Sequence, residues 1–294
     1  MTLWNSLLPA SEVLGILLAL YWVLVIITIV AEDREPTTTL AWILVLALLP
    51  MVGIAAYIIV GRDWKHRVPK QKKTIRAKAI ALACMNRHHE PYRKLQDVML
   101  ARTDDTVTER VTRSITAEND SRPLPVRSLD IFNAGDEFFG QLMYDIAAAQ
   151  RFVHMQYFIW EHDDLTAKIV ELLIERAKAG VEVRITYDWF GSLLYSKRQL
   201  DELRRAGGDV RADERQLTSL NYRNHRKITV IDGDIGYTGG HNIGQEYIDG
   251  GKNYPAWRDT SARITGPGVA LLQKWFAYRW LTSFGEDELF EDRY

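Results

Sequence analysis

The sequence predicts a layered α/β domain preceded by an all-α transmembrane hairpin. Three observations predict it. Residues 1–61 hold two long apolar runs separated by a short acidic turn. From Pro125 onward, β-branched and aromatic runs alternate with stretches of helical spacing, the pattern of a sheet whose strands are buried on both faces. Between the two, residues 62–124 are polar and basic, and read as a partly helical connector rather than a second domain. Lys+Arg number 37 against 38 Asp+Glu, a net charge of −1, so no global basic field points to nucleic acid. A single cysteine, Cys84, excludes an internal disulfide and leaves no zinc-ligand pattern.

In chain order, Val13 to Val30 is an apolar run without a charge, and Leu40 to Val60 is a second of spanning length. Predicted spans therefore lie at about 13–30 and 40–60. No Lys or Arg precedes the first run and no small-residue cleavage site follows it, so a signal peptide is the poorer reading. Pro50 and Gly53 fall inside the second run, where a membrane helix tolerates a kink. Arg62, Lys65, Arg67, Lys70, Lys72, Lys73, Arg76 and Lys78 follow, opposed only by Asp63. The positive-inside rule places this segment on the cytoplasmic side, and with it the amino terminus and the rest of the chain. The expectation is a multi-pass protein of the cytoplasmic (inner) membrane, its basic run resting on anionic headgroups. His88-His89 has no carboxylate or cysteine at useful spacing, so no metal is expected.

The α/β part, residues 125–294, starts with helical spacing over Asp136 to Gln150 and a β-prone run from Phe152 to Trp160. Leu165 to Ala179 is helical, with Gly180 as its stop, and Val181 to Tyr187 is the next strand. Leu200 to Ala206 is a helix closed by Gly207-Gly208, after which Val210 opens another strand. Gly266-Pro267-Gly268 precedes a last amphipathic helix through Trp275 and Trp280. His154 and Tyr157, inside a strand, read as satisfied core polar groups. Asp188-Trp189-Phe190-Gly191-Ser192 follows a strand and reads equally as a functional loop or as a turn capped by Asp188.

The chain is organised around Asn224-His225-Arg226-Lys227-Ile228-Thr229-Val230-Ile231-Asp232, followed by Gly239-Gly240-His241-Asn242. Read as a strand, it points His225, Lys227 and Thr229 to one face and Asp232 to the other. A strand from Ile235 to Thr238 pairs back through Gly233-Asp234 and brings Asn242 close to the same edge. A His and a Lys on a strand, taken alone, usually mark a solvated surface. The spacing is more specific than the pair: His225-x-Lys227-x4-Asp232, then Gly239-Gly240 and Asn242, resembles the signature of the phospholipase D superfamily. The flanking words, Asn221-Tyr222-Arg223-Asn224 before and Ile243-Gly244-Gln245-Glu246-Tyr247 after, are similar to the cardiolipin synthase branch.

The resemblance implies a mixed central sheet flanked by helices and phosphodiester exchange without metal or other cofactor. Such exchange needs a nucleophile that can leave again, donors on the non-bridging oxygens and an acid for the departing alkoxide. His225 is the candidate nucleophile, through a phosphohistidine. Lys227 and Asn242 are candidates to hold phosphoryl oxygens, where charge spreads in the transition state. Gly239 and Gly240 would let backbone approach the phosphate, and Arg223 and Arg226 would suit an anionic headgroup. Asp232, although part of the signature, points away and is given a salt-bridge or loop-tethering role. Asp259, in Trp257-Arg258-Asp259-Thr260, matches the family's downstream acid and is the candidate to orient the imidazole, ahead of Glu246.

No other histidine begins a His-x-Lys, so the chain holds one copy of a motif that works in pairs. The second copy would come from a missing carboxy-terminal half or from a two-fold homodimer, and an isolated monomer is expected to be inactive. The resemblance then implies a phosphatidyltransferase that makes cardiolipin from two phosphatidylglycerol molecules and releases glycerol. The alternatives are a membrane-tethered dimeric nuclease, a phospholipase D hydrolase, or a non-catalytic lipid-binding subunit. No nucleic-acid partner is expected.

Overall fold

The computed structural model describes residues 36–57, 106–119, 124–193, 197–213, 223–251, 255–291 and 294, with scattered positions in 12–27 and 61–98. The basic run from Arg62 to Lys78, Cys84, His88-His89 and half of the first predicted span lie outside the described residues. The chain divides into two compact units, of which the first holds the amino-terminal helices and the second the α/β domain.

In the first unit, helix α1 (Pro36–Leu48) gives way at Leu49 to α2 (Pro50–Ala56). Within the second predicted span the described helix is therefore interrupted at Leu49. Pro50 has no N–H to donate, so the helix does not run on unbroken through it. The short second helix folds against the first: a Cβ on Gly53 would lie 3.0 Å from the Val45 carbonyl oxygen. The Trp42 and Tyr57 rings meet edge to face at 5.3 Å. Among the described residues no helix is long and apolar enough to cross a membrane. Leu40, Leu44, Leu48 and Val52 are nonetheless all more than half exposed. Farther along the chain, α3 (Thr106–Asn119) is an amphipathic helix.

The second unit is built on a seven-stranded mixed sheet of order β1-β7-β6-β5-β2-β3-β4. One half is parallel. β2 (Phe152–Tyr157), β3 (Glu182–Asp188) and β4 (Asp209–Asp213) run side by side, connected by α5 (Asp164–Lys178) and α6 (Arg198–Arg205). The other half is antiparallel: β5 (Ile228–Ile231), β6 (Ile235–Gly239), β7 (Ser261–Thr265) and the edge strand β1 (Ser128–Phe132). β5 joins the halves by pairing antiparallel with β2, Gln156 opposite Ile228.

Strand alternation assigns the two faces. Val153, Met155 and Tyr157 of β2, with Ile231 and Tyr237, pack against α5, α6 and α4 (Gly135–Ala148). Phe152, Ile228 and Val230 face α8 (Val269–Phe284) through Val269, Leu272 and Trp275. Asp163 caps α5 by accepting from the Thr166 N–H at 2.8 Å, and its other oxygen accepts from the Gln245 N–H at 2.6 Å. The cap thus also ties down the loop beyond Asn242.

The face under α8 is unexpectedly polar. His154 is fully buried between the Phe152 and Phe276 rings, with Nδ1 at 3.0 Å from Gln273 Oε1. Glu182 accepts hydrogen bonds from Arg184 Nε at 2.6 Å and the Tyr294 hydroxyl at 2.8 Å. Arg184 also reaches Glu288 at 2.6 Å, in a short 3₁₀ turn after α8. Although burial works against it, hydrogen bonds from His154 and Tyr294, joined by the Arg184 charge, hold the Glu182 carboxyl down at about 2. His154 and Tyr157 are core groups: the Tyr157 hydroxyl shares a 2.8 Å hydrogen bond with Thr229.

Candidate active site

The sheet ends before the motif does. β5 begins at Ile228, so His225 to Lys227 overhang the sheet rather than lie within a strand. The reason is that β2 stops at Tyr157, and Phe158 turns away from the ladder. His225 is exposed and stacks on the Phe158 ring, with centroids 4.0 Å apart and planes 21° from parallel. The Lys227 ammonium sits 5.7 Å from the centre of the same ring and donates to the His225 carbonyl at 2.8 Å. Burial pushes the Lys227 ammonium below the ordinary lysine pKa, and the Asp259 carboxylate partly opposes that.

Asn242 reaches this edge from the other side of the β5–β6 hairpin. Trp160 bridges to Ile243, and the Ile159 N–H donates to Asn242 Oδ1 at 3.1 Å. Asn242 Nδ2 in turn donates to the Tyr247 hydroxyl. The carboxamide is therefore held at both ends. Asp259 lies against Gly240, where a Cβ would fall 1.7 Å from Asp259 Oδ1. That oxygen accepts from the Thr260 N–H at 2.8 Å.

The remaining residues expected at the site are placed differently. On the side where a Cβ would stand, Gly239 and Gly240 are closely packed. A Cβ on Gly239 would lie 2.3 Å from Ser261 Oγ, and the Gly240 N–H donates to the Thr260 carbonyl at 2.9 Å. Their lack of a side chain lets Ser261 and Asp259 close in. Arg223 points its guanidinium at Asp188, 3.6 Å away, with both side chains buried, and lies over the Trp189 and Phe190 rings. Its charge is compensated internally rather than offered to a headgroup. Arg226 alternates to the α8 face and lies 4.4 Å over Trp275.

Asp232 is outside the site altogether. It follows β5 while His225 precedes it, roughly 20 Å apart along an extended chain. Its carboxylate accepts from the N–H groups of Gln150 at 2.8 Å, Arg151 at 2.7 Å and Phe152 at 2.9 Å, tying the β5–β6 turn to the start of β2. His241, beside Asn242, is fully buried against Phe138 with Nδ1 on Ser261 Oγ at 2.8 Å. Burial lowers the pKa of its imidazole, so it offers no exposed proton for a leaving group. Glu246 opens the short helix α7 (Glu246–Asp249). Among the described residues no cluster of His, Cys, Asp and Glu could hold a metal ion.

Phe158 was not singled out in the sequence, because an aromatic at the end of an apolar run reads as core. Only its position directly after a β2-type strand and before the paired Ile159–Trp160 could have suggested more.

A mixed sheet presenting His-x-Lys and a clamped asparagine at one edge has the form of a phospholipase D-type domain. Comparison with known proteins agrees. Residues 142–280 match the family described as cardiolipin synthase, PLD-like domain, and residues 17–62 match phospholipase D-nuclease N-terminal. The chain carries a PLD-like domain of the cardiolipin synthase family. It is 33% identical over 292 residues to cardiolipin synthase 1 of Bacillus anthracis, a match covering 94% of this chain and 54% of the relative. It is 32% identical over 285 residues to the major cardiolipin synthase ClsA of Bacillus subtilis, covering 95% and 58%. The chain thus spans about half the length of the curated relatives it matches. Among solved structures it is similar to phosphatidylserine synthase of Haemophilus influenzae, at 18% identity and a TM-score of 0.44 over 54% of this chain and 38% of that one. It is also similar to the phospholipase D family member Nuc of Salmonella typhimurium, at 15% identity and 0.43 over 53% and 95%.

Proposed function

We infer that this chain supplies one half of a phosphatidyltransferase site that makes cardiolipin from two phosphatidylglycerol molecules and releases glycerol. The observation that carries the reading is the exposed His225 imidazole beside the Lys227 ammonium, on a ledge that also receives the fixed Asn242 carboxamide. In the proposed reaction, a ring nitrogen of His225 attacks the phosphorus of one phosphatidylglycerol. The N–P bond forms as the P–O bond to glycerol breaks, and the glycerol alkoxide takes a proton from a second motif histidine. The glycerol hydroxyl of a second phosphatidylglycerol then attacks phosphorus, gives its proton to that same histidine and frees His225. Lys227 and the Asn242 carboxamide N–H neutralise the non-bridging oxygens, where charge builds. Asp259, through its place against Gly240 and its field on Lys227, orients the charged groups. Arg226, on the α8 side, is the remaining candidate for the anionic headgroup. The second histidine comes from another copy of the motif, either farther along the same polypeptide or on a second subunit.

The same reading places the amino-terminal unit in the inner membrane and the catalytic domain on its cytoplasmic side. The exposed apolar side chains of Leu40, Leu44 and Leu48 along α1 support lipid contact, since water is a poor cover for them. To test the function, the full chain is incubated in vesicles with labelled phosphatidylglycerol, alone and together with a second motif copy. A new diphosphatidyl lipid, free glycerol and acid-labile phosphate on His225 are expected, all lost in His225→Ala. Phosphatidic acid as the only product would make the protein a hydrolase instead.

A further inference from the structure

The loop Asp188-Trp189-Phe190-Gly191-Ser192 grips the nucleophile from two sides. On one side it supports Phe158. Gly191 lies so close that a Cβ there would fall 2.6 Å from the Phe158 carbonyl oxygen and 2.8 Å from its ring. Ser192, fully buried, donates its hydroxyl to the Phe158 carbonyl at 3.3 Å and accepts from the Trp160 N–H at 3.0 Å. On the other side it holds the strand of chain that leads into His225. The Asp188 carboxylate pairs with Arg223 at 3.6 Å, and the guanidinium lies about equally far from the Trp189 and Phe190 rings, at 5.1 and 5.0 Å. Asp188 also fixes the loop itself, accepting from the Phe190 and Gly191 N–H groups, both at 2.9 Å.

We propose that this loop, with Phe158 and Arg223, is a positioning clamp that sets the plane of the His225 imidazole for attack on phosphorus; the proposal rests on the reading of His225 as nucleophile. The lone pair that attacks lies in the plane of the ring, so the plane fixes the line of attack. A ring stacked at 4.0 Å and 21° cannot tilt freely. When the N–P bond forms, the imidazole gains positive character, and the face of Phe158 is the π surface that receives it. Lys227 lies over the same ring, so one platform sets both the nucleophile and the cation that meets the phosphoryl oxygens. Phe158 and Arg223 act through His225 and are positioning residues, not catalytic ones.

The test uses the full chain in detergent with its histidine rings isotope-labelled, the His225 signals being assigned by their loss in His225→Ala. In the unsubstituted chain those signals are expected upfield, in the shielding cone of Phe158. Phe158→Leu is expected to move them to ordinary positions, Phe158→Tyr to keep them, and Gly191→Ala to displace them by pushing the platform aside. With phosphatidylglycerol as substrate and the second motif copy supplied, Phe158→Leu and Gly191→Ala should lower kcat about 10- to 100-fold with KM within about twofold, the loss expected from misplacing a reacting group by a fraction of an ångström to an ångström. Phe158→Tyr should restore kcat. The clamp is refuted if the His225 signals are unshifted in the unsubstituted chain, or if kcat in Gly191→Ala and Phe158→Leu falls only as far as the folded fraction measured by thermal unfolding. If the shifts behave as expected but no chain turns over phosphatidylglycerol, the clamp geometry stands and the phosphatidyl-transfer reading fails.

Discussion

Replacing Asp232 by Asn separates the signature from the chemistry. Three backbone N–H groups, those of Gln150, Arg151 and Phe152, converge on the Asp232 carboxylate at 2.7–2.9 Å. Hydrogen bonds to a charged acceptor are each worth about 1.5–3 kcal/mol when removed. Asn keeps one carbonyl oxygen and so part of this array, but it turns an NH₂ toward the donors that remain. The net cost should be about 2–4 kcal/mol. Asp232 also has φ of +54°, and Asn is the other residue that tolerates a left-handed backbone, so conformational strain is not part of the perturbation. For a domain of this size the loss corresponds to a fall of roughly 5–15 °C in the unfolding midpoint. The assay pairs thermal unfolding of the full chain with phosphatidylglycerol turnover per folded molecule, measured well below the midpoint. Turnover should stay within about threefold. An unchanged midpoint with turnover down tenfold or more would show that the carboxylate acts in the reaction and that its distance from His225 has been misjudged.

Three further outcomes are expected. Gly240→Ala would drive a methyl group into Asp259 Oδ1, so the carboxylate must move; kcat should drop about 100-fold with little change in unfolding midpoint, and equal loss in both would point to general misfolding. Competitive acylation across pH should find Lys227 reactive below the ordinary lysine range, because burial disfavours its charge, and Asp259→Asn should lower its titration further by removing a charge that favours the ammonium. Turnover should then fall as pH rises through that lowered pKa; a Lys227 that titrates like a surface lysine would contradict the burial. Glu182 has a folded pKa of about 2 against 4.5 unfolded, so its stabilisation is present above 4.5 and is lost as pH falls toward 2. Solvent screening at this half-buried site reduces the effect to about 1–2 kcal/mol, and Glu182→Gln should flatten the acid limb of stability by that amount in urea titrations.

Most of the α/β layer could be read directly from residue patterns. The run Phe152 to Tyr157, the helix to Lys178 and the strand Glu182 to Asp188 have strong periodicity and clear stops, and each forms close to where it was expected. The edge strand β1 and its neighbour β7 were not foreseen. Ser128–Phe132 and Ser261–Thr265 are five residues each and mixed in polarity; β7 is a strand because β6 offers it a partner, and β1 because β7 does. The interruption of the apolar run after Leu40 is not legible in its hydropathy for a related reason. Hydropathy adds up side chains, whereas the break at Pro50 is a matter of one missing backbone donor.

At the candidate site, sequence by itself determined the groups proposed to react: an imidazole, an ammonium and a carboxamide at spacings that the phospholipase D pattern uses. Tertiary structure decided which neighbours reach them. It moved Asp232 to the far end of β5, turned Arg223 onto Asp188, filled the space beside Gly240 with Asp259, and brought Phe158 under His225. The physical reason is that spacing along one strand sets direction only within that strand. Contact between groups some tens of residues apart depends on where neighbouring strands stop, and no local pattern encodes where β2 releases Phe158 from the sheet.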